Sequence, residues 1–153
     1  DLLTARGELS LLFGDVAGAL AAADRALALK PDDPSALGLA ANAARQTGDM
    51  GRALEAARRA SSLAPRDFGL LHLCCEVELA SGLAAEAARR LAGPAPPAHL
   101  QKHIALKATA MRVAGDEDYR RYYDYDRFTA QIDIDPPEGF ATIADFNAAL
   151  YAA

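Results

Sequence analysis

The sequence predicts an all-α fold: a superhelix of antiparallel helix pairs, followed by a short non-repeat C-terminal tail of one strand and one helix. Three observations predict it. Gly14, Gly48 and Gly82 stand 34 residues apart, and the first two open the same phrase, Gly14-Asp15 and Gly48-Asp49. Pro31 and Pro65 recur at that interval, as do Ala19, Ala53 and Ala87. The stretch up to residue 92 is rich in Ala, Leu, Arg and Glu, which favour helix. A repeat of this length is one helical hairpin, a unit that cannot bury its own apolar face and must stack on a neighbour.

The breaks between helices fall where the period places them. Gly14 and Gly48 each end a helix, and Asp15 and Asp49 cap the next; Gly82 is followed by Leu83 and lacks that cap. Pro31 and Pro65 follow the second helix of a pair, where a residue without an N–H stops it. Asp32-Asp33-Pro34 sets carboxylates at the next N-terminus, favourable to the helix dipole. Helices are expected near 2–13, 16–29, 35–47, 50–63, 68–81 and 84–92.

From Pro34 onward, Leu37, Ala40, Ala41, Ala44, Gly48, Ala53, Ala57, Ala60 and Pro65 follow one pattern of small and apolar positions. The unit before offers Leu3, Gly7, Gly14, Ala19, Ala23, Ala26 and Pro31. The unit after offers Leu71, Cys74, Cys75, Gly82, Ala87 and Leu91, then departs at Pro94. This pattern resembles the tetratricopeptide repeat (TPR). In that register Gly7, Ala41 and Cys75 of the first helices face Ala19, Ala53 and Ala87 of the second, so that paired backbones approach closely.

Residues 1–96 thus read as three TPR-like hairpins. Gly93-Pro94-Ala95-Pro96-Pro97 breaks the chain. Ile104, Ala108 and Met111 then mark a further first helix over about 98–114, ending at Gly115-Asp116. Its partner carries Arg120, Asp124 and Arg127 where small residues should pack, so residues 97–126 read as a modified fourth hairpin that caps the array. Terminal repeats deviate in this way.

Residues 127–153 have another character and read as the start of a following domain. Every tyrosine lies beyond residue 118. Phe128, Ala130, Ile132 and Ile134 alternate with Thr129, Gln131 and Asp133, the period of a strand with one buried face. After Pro136-Pro137-Glu138-Gly139, the residues Ile143, Phe146 and Leu150 recur at helix spacing behind Thr142, a suitable N-cap. The run Tyr122-Tyr123-Asp124-Tyr125-Asp126-Arg127-Phe128, with Pro136–Phe140 and Asp145–Leu150, resembles the junction in bacterial proteins where such repeats precede a 2-oxoglutarate- and Fe(II)-dependent oxygenase domain. That resemblance implies iron held by a His-x-Asp pair and a distant His. None of His72, His99 and His103 begins such a pair, so no ligand is carried over and this chain is expected to hold no cofactor or metal. Fe(II) and 2-oxoglutarate would belong to a parent protein.

A net charge of −5 and a pI near 5.1 argue against a nucleic-acid partner, since phosphate contacts need a basic face. No apolar run approaches the ~18 residues of a membrane span. No signal peptide is visible, and the start at Asp1 without Met suggests an excised or processed piece. Cys74 and Cys75 are adjacent and read as reduced, buried residues, which fits a cytoplasmic setting.

The functional expectation is a protein–protein interaction module, without catalytic residues, that binds a peptide or protein on its concave face. By register, Thr4 and Glu8, Asn42 and Arg45, and His72 and Glu76 point into that groove. Only Asn42 matches the chaperone-tail clamp of some family members. The alternative is the substrate-positioning region of an oxygenase. His99 and His103, four apart, read as a surface pair, because no Glu follows His99 and no third ligand appears. Cys74 and Cys75 beside His72 fall on core positions. Asp133 and Asp135 read as a strand's exposed face, and Ser61-Ser62 lacks a nucleophile elbow. The cluster Tyr119, Tyr122, Tyr123 and Tyr125 reads as packing against the following domain, with pairing of two copies through the tail as a further expectation.

Overall fold

The computed structural model describes residues 2–123 and 135–152. The chain divides into two compact units, Asp1–Tyr123 and Asp124–Ala153. In the first, helices α1 (Leu2–Leu12) and α2 (Val16–Leu29), α3 (Pro34–Thr47) and α4 (Met50–Leu63), and α5 (Phe68–Ala80) and α6 (Ala84–Arg90) form three antiparallel hairpins. A single-turn 3-10 segment, Pro97–His99, leads into α7 (Leu100–Val113), and a second 3-10 segment covers Glu117–Arg121.

Glycine sets the turn inside each hairpin. Gly14, Gly48, Gly82 and Gly115 have φ of +79°, +81°, +77° and +79°, the left-handed region where a Cβ is costly. Aspartates set the starts. Asp15 accepts from the Gly18 N–H (2.8 Å) and Asp49 from the Arg52 N–H (3.1 Å). Asp33 accepts from Ser35 and Ala36, and Asp67 from Gly69 and Leu70, so the first helices of two units are capped as well. α6 has no side-chain cap at Leu83 and ends at Arg90, two residues short of the expected 92, with Gly93-Pro94 following.

Alanine fills the core. Ala19, Ala23, Ala41, Ala44, Ala53, Ala57 and Ala60 are fully buried in one cluster, and Cys75, Ala87, Leu91 and Ala110 form a second. Such small side chains let the helix axes come close, and the packing is tight at Gly7, where a methyl group would collide with Leu39 of α3 and press on Ala22 of α2. Each second helix lies on the first helix of the next hairpin (α2 on α3, α4 on α5, α6 on α7), while α1, α3, α5 and α7 adjoin in sequence along one side.

The fourth hairpin is incomplete over the described residues. Where its second helix was expected there is only the 3-10 segment, begun by Asp116, which accepts from the Asp118 N–H at 3.0 Å. Polar residues at the packing positions explain this: Arg120 and Arg121 turn to Glu117 and Asp118 instead of to α7. The expected strand over Phe128–Ile134 lies outside the described residues, among which no strand occurs.

In the second unit, α8 (Ile143–Ala152) follows the expected cap. Asp145 N–H donates to Thr142 Oγ1 (3.1 Å), and that hydroxyl donates to Asp145 Oδ2 (2.7 Å). Phe140 packs edge-on to Phe146, 5.2 Å between ring centres.

Candidate functional site

The first helices present a groove of about 280 Å³. α1 contributes Glu8 and Leu11; α3 contributes Gly38, Leu39 and Asn42, with Ser35 at its start; α5 contributes Leu70 and Leu73, with Asp67 and Gly69 at its mouth. Gly38 is what lets the floor form: a methyl there would strike the Leu70 side chain. The floor is apolar and the rim carries amide, hydroxyl and carboxylate groups.

Two of the six predicted groove residues line this space, Glu8 and Asn42. Asn42 is held in one orientation, because Arg45 Nη2 donates to its Oδ1 at 3.1 Å. That bond leaves the Asn42 NH₂ as the outward donor. Arg45 therefore acts on the groove through Asn42, and its buried Nε has no partner among the described residues. Glu76 stands at the same repeat position as Glu8 and Asn42 but is joined to Lys102 of α7 at 2.7 Å. That ion pair, and not burial, sets Glu76 apart, since Glu76 and Asn42 are both half-buried.

Thr4 and His72 are elsewhere. They are 3 % and 1 % exposed, and they share their repeat position with Gly38, which is also buried. This position faces the adjoining first helix: at Gly38 the lack of a side chain opens it as groove floor, whereas neither Thr4 nor His72 lines the groove. Thr4 Oγ1 has no hydrogen-bond partner among the described residues.

His72 instead belongs to an aromatic cluster between α5 and α7. Its Nε2 lies 3.3 Å from Nδ1 of His103, whose Nε2 lies 3.1 Å from the carbonyls of Leu91 and Gly93. His103 is 4 % exposed, so the reading of His99 and His103 as a surface pair holds only for His99, which stacks on Phe68 at 5.5 Å. Burial first, and then electrostatic repulsion of a charged His72 by its neighbours His103, Lys102 and His99, holds His72 below its ordinary pKa, against a smaller opposing pull from Glu76.

One charged site was missed from sequence. Glu78 is fully buried on α5 and accepts from Arg58 Nε (3.0 Å) and, in a two-pronged contact, from Arg90 Nε (3.1 Å) and Nη2 (2.9 Å). Burial alone would raise its pKa, but the bonds from Arg90 and Arg58 outweigh it and hold the carboxyl below its usual range. The signal was present: a carboxylate in phase with the core residue Ala44.

Cys74 and Cys75 are free and buried, and burial pushes their thiols up to about 11 and about 12. Such thiols are poor nucleophiles and poor metal ligands at neutral pH. Among the described residues no group of three or more His, Cys, Asp and Glu is placed to hold a metal ion. No described helix is long and apolar enough to cross a membrane.

No family model and no curated protein sequence matches the chain. Solved structures do. A mutant O-GlcNAc transferase from Thermobaculum terrenum superposes with a TM-score of 0.57 at 22 % identity, over 86 % of this chain and 23 % of the transferase chain. The chain thus spans less than a quarter of that protein's length. The Sgt2 TPR domain from Aspergillus fumigatus gives a TM-score of 0.57 at 19 % identity, over 94 % of this chain and 91 % of that domain. The fold is that of a TPR-like stack of helical hairpins.

Proposed function

We propose that the chain is a non-catalytic interaction module that binds an extended peptide segment along α1, α3 and α5. Leu39, Leu70 and Leu73 take an apolar side chain of the bound segment. The Asn42 NH₂ donates to a main-chain carbonyl beside it, and Glu8 favours a basic or amide-bearing neighbour. The observation that carries this reading is the Arg45–Asn42 bond, which fixes a donor over an apolar floor before any ligand arrives. Fixed donors cost less to engage on binding than free ones.

The test is selection of peptides from a random display library on the chain, followed by affinities for variants. Asn42→Ala is expected to weaken selected peptides about 3- to 10-fold, the worth of one hydrogen bond, and Leu70→Arg to abolish binding with the fold intact by circular dichroism. Selected peptides that bind both variants as they bind the parent would overturn the reading.

A second reading rests on the tail sequence from Tyr122 onward, which resembles the entry to an oxygenase domain. In it, the groove holds a protein substrate for a catalytic domain encoded after Ala153. The histidines described above do not fit an iron site, since His72 and His103 are spent on each other and on main-chain carbonyls. The iron ligands would have to be a His-x-Asp pair and a further His downstream, and their absence there would end this reading.

A further inference from the structure

The repeat makes each part of the array comparable with its counterpart 34 residues away, and the comparison exposes an open seam at α1. Between α3 and α4 there is a cleft of about 200 Å³ lined by Leu37, Ala40, Arg52, Ala56 and Arg59, and Leu27 of the preceding hairpin forms its wall. The same cleft recurs between α1 and α2, about 110 Å³, lined at the corresponding positions by Leu3, Arg6, Gly18, Ala22 and Arg25. Among the described residues none lines it in the place of Leu27.

The charges repeat the pattern. Arg59 is held by Asp32, from the loop that closes the preceding hairpin, with Nε at 3.1 Å. Arg25 is its counterpart and meets no carboxylate among the described residues. The apolar face of α1 agrees. Leu2 and Leu9 are 85 % and 56 % exposed, whereas their counterparts Ala36 and Ala43 are completely buried. Ala5 is exposed, and its counterpart Leu39 is buried in the seam against Gly7 and Ala22. Leucines project further than the alanines of the inner seam, so a partner stacked on them must carry small residues opposite.

We propose that the outer face of α1 and α2 seats one more helical hairpin of the same kind, supplied by polypeptide ahead of Leu2, with an apolar side chain in the α1/α2 cleft and a carboxylate on Arg25. The occupant is specified by continuity with the seams inside the chain: its second helix lies on α1 as α2 lies on α3. In register, it carries an apolar residue 34 positions ahead of Leu27 and Asp or Glu 34 positions ahead of Asp32. The face is an internal joint of a longer array.

Two measurements test this. The first is the encoded sequence upstream; a helix-breaking or acidic residue at the first position, or a basic one at the second, overturns the proposal, as does the lack of any preceding polypeptide. The second compares thiol labelling of Leu9→Cys in residues 1–153 and in the protein extended by its natural upstream repeat. Labelling is expected to be at least 10-fold slower in the longer protein, and Arg25→Glu to raise that slower rate about 2- to 5-fold. Should Leu9→Cys perturb folding, amide exchange over Leu2–Leu12 in the unmodified pair reports the same protection. Equal rates in the two proteins overturn the proposal. So does protection of α1 in residues 1–153 alone that grows with concentration, since a second copy would then be the occupant.

Discussion

His72 and His103 form a directed pair: Nε2 of His72 stands 3.3 Å from Nδ1 of His103, and Nε2 of His103 faces two carbonyl oxygens that can only accept. The far nitrogen of His103 must therefore carry a hydrogen, which leaves its Nδ1 to receive the Nε2–H of His72. This chain of bonds ties α5, the loop after α6 and α7 together. It accommodates one added proton by exchanging roles, but two would set N–H against N–H.

Acid should loosen this joint. The folded state holds His72 below its ordinary value, so the unfolded chain binds the proton first as pH falls. The contribution of His72 is then constant above about pH 6.5, the ordinary histidine value, and declines below it until His72 titrates in the folded protein as well. Thermal melts at pH 7.5 and 5.5 should show the fall, and His72→Leu should reduce it; at these values most carboxylates remain ionised. A melting temperature that is level across this interval would contradict the assigned bonding.

Glu78 is expected to be the most sensitive charge in the array. Arg90→Met removes two of its three bonds and leaves a buried carboxylate with Arg58 alone, a change that should cost about 3 kcal/mol in urea titrations. Glu78→Gln should cost less, since the amide oxygen still accepts and both arginines reach water. The sign with pH is opposite to a raised group: the depressed carboxyl stabilises the fold above its ordinary value, and that contribution disappears as pH falls through the folded one.

Ala41 has no exposed surface and lies in the alanine cluster with Ala19 and Ala53. Ala41→Leu adds three carbons where helices already touch, and should destabilise by roughly 1–3 kcal/mol. An unchanged urea midpoint would place Ala41 outside the helix contact.

Cys74 and Cys75 should be silent toward thiol reagents in the native protein. With both thiols pushed up by burial, few are ionised at pH 8 and none is reachable. Labelling by an aromatic disulfide reagent is expected to wait on unfolding and then to proceed at both sites. Prompt reaction of the native protein would show that α5 is open.

The hairpin rhythm was legible because its marks have single physical meanings. Gly14, Gly48 and Gly82 sit where φ is positive, and Asp15 and Asp49 sit where N–H groups lack partners. Which side of a first helix meets the groove was only partly legible. Thr4 and Glu8 are one turn apart, and their period is the same for either facing; the offset between successive hairpins decides, and it sends Thr4 and His72 to the seam and Glu8 and Asn42 to the groove. The His72–His103 pair joins residues on separate helices, so the local spacing of His99 and His103 pointed the wrong way. Glu78 could have been found by treating a carboxylate on an alanine position as a demand for arginine.

The joints of this array are made of different materials. From α1 to α4 the buried surface is mostly alanine and leucine, while from the α4–α5 joint onward a buried carboxylate held by Arg58 of α4 and Arg90 of α6, and a pair of imidazoles, tie the helices together. Methyl contacts weaken in the cold and strengthen with excluded salts such as sulfate, whereas bonds between charged groups are screened by ions. One polypeptide thus has a front half that answers to temperature and a rear half that answers to electrolyte and acid, and a change of medium can relax either end while the other keeps its form.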